Sequence, residues 1–418
     1  LIRKPRWKIY FFPRESGYRT GYYRVLAIGT RLEAKSIRLS RFPSMLTTMR
    51  PAVAAFTETY LPTVNGVTYT IRSWRDRWQA DGGRMDVVYP RSSHAPESGE
   101  YPVKSVSFPF YDSYRLGAPQ VPDAVTDVDL VHAHTAFALG LAGFRLARRV
   151  DVPLVATYHT PTGEYTEYLT DVDRVAGALT RVTESYERWY FDRTDLVIVP
   201  SEPARNHLVD EVGVTTPVRI VSNGVDTEQF RPVDDAEFRD RYDLDGTVIG
   251  YTGRHGYEKR LHDLIDAAAD VDATVVFGGD GPAREDLEAR AERVDADVRF
   301  LGFLDREEMP AFYSTLDVFA FPSPVETQGL VALEAYACGT PVVGADSGAL
   351  SQTIDDGTTG YHFETGNVDD FAATLRRALD ERDRLSEHCL DRRDRISVDR
   401  SVSDLERVYE ELLPITAV

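Results

Sequence analysis

From Pro51 onward the chain alternates short apolar runs with amphipathic stretches, the pattern of βα units wound about a parallel sheet. Runs rich in β-branched and aromatic residues predict strands at Ala52–Phe56, Met85–Tyr89, Leu130–His132, Leu154–Tyr158, Leu196–Val199 and Val218–Val221. Helices are expected between them at Val67–Gln79, Phe137–Arg149, Ala176–Asp192 and Pro203–Val212. A polar break, Asn223–Pro232 (NGVDTEQFRP), follows, and the alternation then restarts. Strands are expected at Val248–Thr252, Thr274–Phe277, Val298–Phe300, Val318–Ala320 and Val342–Gly344. Their helices fall at Leu261–Ala269, Ala283–Arg293, Glu307–Ser314, Leu330–Ala337 and Asp369–Arg382, and Ser403–Leu413 reads as a last helix. The expected fold class is α/β, with two Rossmann-like doubly wound parallel-sheet domains at residues 51–225 and 226–395 and a helical segment at 396–418. Such sheets bind ligands at the carboxyl ends of their strands, so the site is expected in a central cleft between the domains.

At 418 residues the chain exceeds one compact core, in agreement with two domains. No run approaches the roughly 20 apolar residues that cross a bilayer. Cys338 and Cys389 are too few for a disulfide framework or a cysteine zinc site, and fit a reducing interior. The net charge of −19 is unevenly spread. Residues 1–50 hold 12 basic side chains against Glu15 and Glu33, leaving 36 basic and 65 acidic residues in the rest. Such a body repels nucleic acid, so no nucleic-acid partner is expected. Past residue 50 the only lysines are Lys104 and Lys259. Acid-rich, lysine-poor surfaces suit molar salt, where screening falls to about 3 Å, and the expectation is a salt-adapted, halophilic cytoplasmic protein.

The basic segment 1–50 differs from that body and has two readings. Its Arg and Lys residues among Tyr and Phe suit an arm that rests on anionic lipid. Its abrupt change of composition suits an upstream extension that is not native, with the start at Met45 or Met49. A secretory leader is disfavoured, since no apolar core of 7–15 residues is present.

Four segments carry candidate chemistry. In TETYLPTVNGV, Gly66 opens a helix whose backbone N–H groups an anion can approach. In GYTGRHGYEKR, Arg254 and Lys259 follow a strand and could together neutralise a pyrophosphate. A chain that has shed lysine almost everywhere keeps Lys259 at this strand-to-helix turn, which favours a packed phosphate contact over a solvated loop. In GGDGP, Gly279 lets a ligand or a neighbouring backbone pass close, but the dinucleotide fingerprint is incomplete and a dehydrogenase is disfavoured. In PSPVETQGLVALEAYACGTPVV, Glu326 precedes a helix and Glu334 lies within it. A carboxylate there can accept hydrogen bonds from sugar hydroxyls, and the N–H groups around Thr327, Gln328, Gly329 and Leu330 face an anion under the helix dipole. The plain alternative is a helix cap for Glu326 and a surface charge for Glu334. His132 and His134 form an HxH pair without a carboxylate or cysteine partner, and no metal site is expected.

The Glu326-x7-Glu334 pair in its setting resembles the motif of the family 4 retaining glycosyltransferases, which have the two-domain GT-B fold. TETYLPTVNGV, VDLVHAHTAF, PLVATYHTP, SNGVDTEQFRP, GYTGRHGYEKR and GGDGP resemble further family segments in the same order, over about residues 52–363. The resemblance implies that Arg254 and Lys259 bind the donor diphosphate and stabilise the departing nucleotide, with Gly253 in the same turn. It places Gly66 at the same phosphates, Glu326 at the donor sugar, Glu334 at the ribose, and His159 near the transferred sugar. Glu58 and Asn65 would line the cleft, and the last helix would cross back to the first domain. The implied reaction moves a hexose from a nucleoside diphosphate sugar, the donor substrate, to an acceptor hydroxyl with retention, and needs no metal or other cofactor. Same-face attack and double displacement both remain open. Gln328, where many members have an aromatic residue, resembles members that glycosylate membrane lipids. A lipid or glycan acceptor and peripheral contact with the inner face of the membrane are therefore expected. The segment Ala138–Arg149 is read either as a membrane-touching helix or as a core helix with a solvated basic end. A GT-B sugar-nucleotide epimerase and an inactive sugar-nucleotide-binding protein are the alternative functions.

Overall fold

The computed structural model describes residues 50–107, 115–159 and 173–413, with the backbone alone for 173–179, and the backbone of the strand pair Ile9–Tyr10 and Leu26–Ala27. The chain divides into two compact units, Leu1–Met49 and Arg50–Val418. In the first, Ile9–Tyr10 and Leu26–Ala27 pair antiparallel. The expectations for the rest of residues 1–49 lie outside the described residues.

Within the second unit a seven-stranded sheet is built from β1 (Ala52–Phe56), β2 (Arg84–Pro90), β3 (Glu100–Val103), β6 (Leu130–Ala133), β7 (Leu154–Thr157), β8 (Leu196–Val199) and β9 (Val218–Ile220), in the order β9-β8-β7-β6-β1-β2-β3. All neighbours in it are parallel. A short antiparallel hairpin, β4 (Ser105–Ser107) with β5 (Arg115–Gly117), follows the edge strand β3. A second parallel sheet holds β10 (Val248–Thr252), β11 (Thr274–Gly278), β12 (Val298–Gly302), β13 (Val318–Phe321), β14 (Val342–Ala345) and β15 (Gly360–Phe363), in the order β12-β11-β10-β13-β14-β15. In each sheet the chain starts centrally and winds outward both ways, as the alternation of elements predicts.

Alternate residues of a strand face opposite sides, and both sides of the first sheet are dry. Ala54 and Phe56 pack with Leu139 and Leu146 of the helix Ala138–Val150. Val53 and Ala55 pack with Trp74 and Trp78 of α1 (Gly66–Ala80) and with Val402, Leu405 and Tyr409 of the C-terminal helix Val398–Leu412. The last helix thus crosses back to the first sheet. Ion pairs fasten it there, Arg50 to Glu406 at 3.1 Å and Arg77 to Asp399 at 2.9 Å. The chain passes between the sheets twice at one place, where Val225 N–H donates to Ile396 O and Val398 N–H to Val225 O, each at 2.8 Å.

Most predicted elements fall within a residue or two of their observed bounds. Two differences stand out. The expected helix Pro203–Val212 divides into an α turn, Glu202–Asn206, and a π turn, His207–Glu211. The edge strands β3 and β15 and the β4–β5 hairpin are additional to the expected set. The apolar run of Ala138–Val150 is core, with Leu139, Ala142, Leu146 and Ala147 buried and Arg145, Arg148 and Arg149 exposed.

Candidate active site

Past the carboxyl end of β1, Asn65 caps α1. Its Oδ1 accepts from Thr68 N–H at 2.9 Å and its Nδ2 donates to Thr59 Oγ1 at 2.7 Å, so Gly66 begins the helix exposed. Glu58 points elsewhere. Its buried carboxylate accepts from Leu139 N–H at 2.5 Å and from the Thr135 hydroxyl, holding the start of the helix Ala138–Val150. Burial raises its pKa, outweighing those bonds. Asn65 and Glu58, expected to line the cleft, therefore have their polar atoms engaged in organising the loop.

At the carboxyl ends of β6 and β7 three histidines form a ladder, His132 within β6 and the other two just past the strands. His132 is fully buried between Tyr409 Oη at 2.7 Å and Thr157 Oγ1 at 2.6 Å. The His134 ring lies 4.0 Å from that of His132, and its Nδ1 is 3.1 Å from His159 Nε2. Both nitrogens of His132 thus face hydroxyls, an arrangement of hydrogen bonds and not of metal ligation. Burial, reinforced by His159, pushes His132 down to about 3. His159 keeps part of its surface exposed, yet the protein packed around its ring still pushes it down to about 3. The His134 ring is lowered well below the ordinary range by burial and by its two neighbours. The ladder is uncharged at neutral pH.

Past the carboxyl ends of β10 and β13, adjacent strands of the second sheet, lie the expected cations and glutamates. Arg254 pairs with Glu258 within its own loop. Lys259 Nζ donates to Glu326 Oε1 at 2.6 Å, both side chains about 15% exposed. Gly253 and Gly279 serve a close approach of backbone to backbone. A Cβ on Gly279, whose φ is 103°, would lie 2.1 Å from Gly253 O. Gly329, at φ 77°, caps α2 (Leu330–Ala337), where a Cβ would lie 2.9 Å from Leu350 Cδ2. Glu334, far from being a surface charge, is buried within α2. Its Oε1 accepts from Arg306 Nη1 at 2.5 Å and its Oε2 from Tyr313 Oη at 2.9 Å.

The loop before α2 joins the two sheets. Thr327 Oγ1 donates to His159 O at 2.7 Å, and Thr327 O accepts from Ser201 Oγ at 2.6 Å. Gln328 Nε2 donates to Ser222 Oγ at 2.5 Å and its Oε1 accepts from Asn223 N–H at 2.9 Å, so this side chain is spent on the junction. A methyl group on Gly66 would lie 4.0 Å from Leu330 Cδ2. The N-terminal ends of α1 and α2, one from each sheet, therefore meet beside His159, Lys259 and Glu326. Their partial positive ends and free N–H groups suit an anion.

Sequence reasoning did not single out Arg306, Tyr313, Ser201 or Ser222. Arg306 bonds Glu334 and stacks 3.8 Å over the Tyr69 ring of α1, another contact between the two halves. It sits in the charged run Asp305–Glu308, which reads as a solvated face.

Residues 64–229 match the family described as Glycosyltransferase Family 4, and residues 234–395 match glycosyl transferases group 1. The D-inositol 3-phosphate glycosyltransferase of Corynebacterium jeikeium is 32% identical over 309 residues, which are 68% of this chain and 73% of that protein. The alpha-monoglucosyldiacylglycerol synthase of Streptococcus pneumoniae is 29% identical over 365 residues, 81% of this chain and 80% of that protein. The Anabaena protein HepE, solved in complex with UDP-glucose, has a similar fold. Its TM-score is 0.67 at 17% identity, with 87% of this chain and 100% of that one covered. Two facing parallel sheets with the site at their carboxyl ends define a GT-B glycosyltransferase. This chain belongs to glycosyltransferase family 4, as the order of its motifs led one to expect.

Proposed function

We propose that this glycosyltransferase moves a hexose from a nucleoside diphosphate sugar to a hydroxyl of a membrane lipid, with retention of anomeric configuration. The observation that carries the reading is the Lys259–Glu326 pair at 2.6 Å, set beside the two helix N-termini at Gly66 and Leu330. Arg254 and Lys259 would hold the diphosphate and stabilise the leaving nucleotide. Each is already oriented by a carboxylate, Glu258 or Glu326, so little reorganisation is needed as charge develops. The N–H groups of Gly66 and of Thr327 to Leu330 would share the phosphates, and the turn at Gly253 and Gly279 sets the loop height. With this much positive potential supplied by the chain, the reaction would need no metal.

Glu326 would accept hydrogen bonds from the donor sugar, and Glu334, steadied by Arg306 and Tyr313, would serve the ribose. His159, uncharged and with its carbonyl held by Thr327, would position the sugar without adding charge. Glu58, a carboxylate at the same end of the first sheet, is occupied at the helix Ala138–Val150. That favours same-face attack, which asks for positioning and charge stabilisation alone. Support for a lipid acceptor comes from the likeness to the alpha-monoglucosyldiacylglycerol synthase. Among the described residues no helix is long and apolar enough to cross a membrane, and the enzyme would meet its acceptor peripherally, from the cytoplasmic side.

The test incubates the protein with UDP- and GDP-hexoses, UDP-glucose first, and a membrane lipid extract, followed by mass spectrometry and NMR of the product. An α-linked glycolipid from an α-linked donor supports the reading. Nucleotide release that ignores the acceptor points to an epimerase, and binding without turnover points to an inactive binder.

A further inference from the structure

The edge of the first sheet carries a second feature that the reaction above leaves unused. Arg91 directly follows β2 and Lys104 directly follows β3, so both sit at the carboxyl ends of their strands, the same end of the sheet as Glu58, His134 and His159. With Arg115, Val106 and Leu116 they line a cavity of about 530 Å³. The backbone beneath it is stitched. Arg91 N–H donates to Val103 O at 2.8 Å, Ala118 N–H to Lys104 O at 2.6 Å, and Ser105 Oγ to Arg91 O at 2.6 Å. Arg115 is fixed by neutral partners, Ser105 Oγ at 2.9 Å and Ser107 Oγ at 3.1 Å.

Many arginines of this chain pair with carboxylates. Those that do not, among the described residues, include Arg145, Arg148 and Arg149 of the helix Ala138–Val150 as well as the cluster here. Among the described residues, none of Arg91, Lys104 and Arg115 has a carboxylate within ion-pair distance. Lys104 is also one of two lysines after residue 50, the other being Lys259 at the diphosphate site. Three cations with no carboxylate partner among the described residues, around one cavity on a body with 65 acidic and 36 basic side chains, suit an anion. The wall is apolar at Val106, which is 66% exposed, and at Leu116. Cations around an apolar wall suit an amphiphile with a negative head. An extended polyanion without apolar chains would leave that wall without a partner.

We propose that Arg91, Lys104 and Arg115 form a docking site for a lipid surface carrying anionic headgroups. Neighbouring strands lie about 4.8 Å apart, so the site stands roughly 10 Å from the β1 column and about 19 Å from His159 on β7. A bilayer resting there presents its headgroups along the carboxyl end of the sheet. The inference rests on the lipid-acceptor reading above and names the surface by which such an acceptor is approached.

The test is co-sedimentation with vesicles of phosphatidylglycerol and phosphatidylcholine, against phosphatidylcholine alone, over a salt series that keeps the chain folded by circular dichroism. The intact protein binds the anionic vesicles and releases them as salt rises. Arg91→Glu with Lys104→Glu lowers the partition at least about ten-fold, and the milder Arg91→Gln with Lys104→Gln lowers it in the same direction. The charge-matched Arg145→Glu with Arg149→Glu, on the helix Ala138–Val150, leaves it unchanged. Unaltered binding by the Arg91/Lys104 variants, or loss with the Arg145/Arg149 pair instead, overturns the proposal, as does failure of the parent to bind. Competition by inorganic phosphate alone at millimolar concentration would reassign the site to a small anion. Transfer to lipid dispersed in neutral detergent is measured beside it. It persists in the variants if the lipid-acceptor reading holds, and its absence in the parent would sink that reading while leaving the vesicle result to stand on its own.

Discussion

Lys259 Nζ donates to Glu326 Oε1 at 2.6 Å, which ties the loop after β10 to the loop after β13. The cation proposed for the leaving phosphate and the carboxylate proposed for the sugar are thus partners before any substrate arrives. Lys259→Ala is expected to keep the fold and to cut turnover roughly 10²-fold or more, as removing one charge-stabilising donor commonly does. Because the two groups touch, Lys259→Ala combined with Glu326→Gln should cost less than the product of the separate losses. Turnover at saturating donor for the three variants checks this, and near-normal turnover of Lys259→Ala would return the residue to a structural ion pair.

The two glutamates should fail differently. Glu326→Gln keeps its volume, and nucleoside diphosphate should bind nearly as before while catalysis falls. Glu334 is buried and holds both Arg306 and Tyr313, so Glu334→Gln should lower stability and nucleotide affinity together, by about 1–3 kcal/mol. Calorimetric titration with nucleoside diphosphate, beside urea denaturation, separates the two.

The histidine ladder predicts acid sensitivity. A ring held at about 3 in the folded chain and near 6.5 when unfolded binds its proton mainly in the unfolded state at intermediate pH. Stability from the neutral rings is therefore complete above pH 6.5 and drains away as pH falls from there toward 3. The fully buried His132 contributes a slope of order 1 kcal/mol per pH unit. In urea midpoints measured between pH 7 and 5, His132→Asn should show a flatter profile than the parent. An unchanged profile would mean that other groups govern acid unfolding.

A chain beginning at Met49 should fold and bind nucleoside diphosphate like the full sequence, because Arg50–Val418 is a compact unit by itself. Melting temperature and nucleotide titration of both lengths check this. A marked loss of either would make the basic segment structural.

The strands of both sheet centres were legible because they are buried on both sides, and their apolar runs are nearly unbroken, as in Leu196–Val199. The edge strand Glu100–Val103 was hidden by Pro102 and by Glu100, a buried carboxylate bonded to Arg75 and Tyr60. The Gly253–Lys259 loop and the glutamate pair stood out because their glycines, cations and carboxylates sit at fixed distances along the chain. What the sequence could not reveal is cross-chain pairing. Arg306 lies 28 residues from Glu334, and Thr327 is 168 from His159. No local pattern marks such partners. His134 was visible as half of an HxH pair, and its ring does lie 4.0 Å from that of His132, but its hydrogen-bonding neighbour proved to be His159.

Tyr409 meets His132, Trp78 and the first sheet's core from the far end of the chain. On a ribosome this half of the molecule is made before the second, yet one of its walls emerges only after the second. Until then Trp74, Trp78 and the His132 column lack their cover, so the first-made sheet must wait, incomplete, for the second to be synthesised. The two halves share this wall, and a chain cut short before residue 398 would leave Trp74, Trp78 and His132 without it.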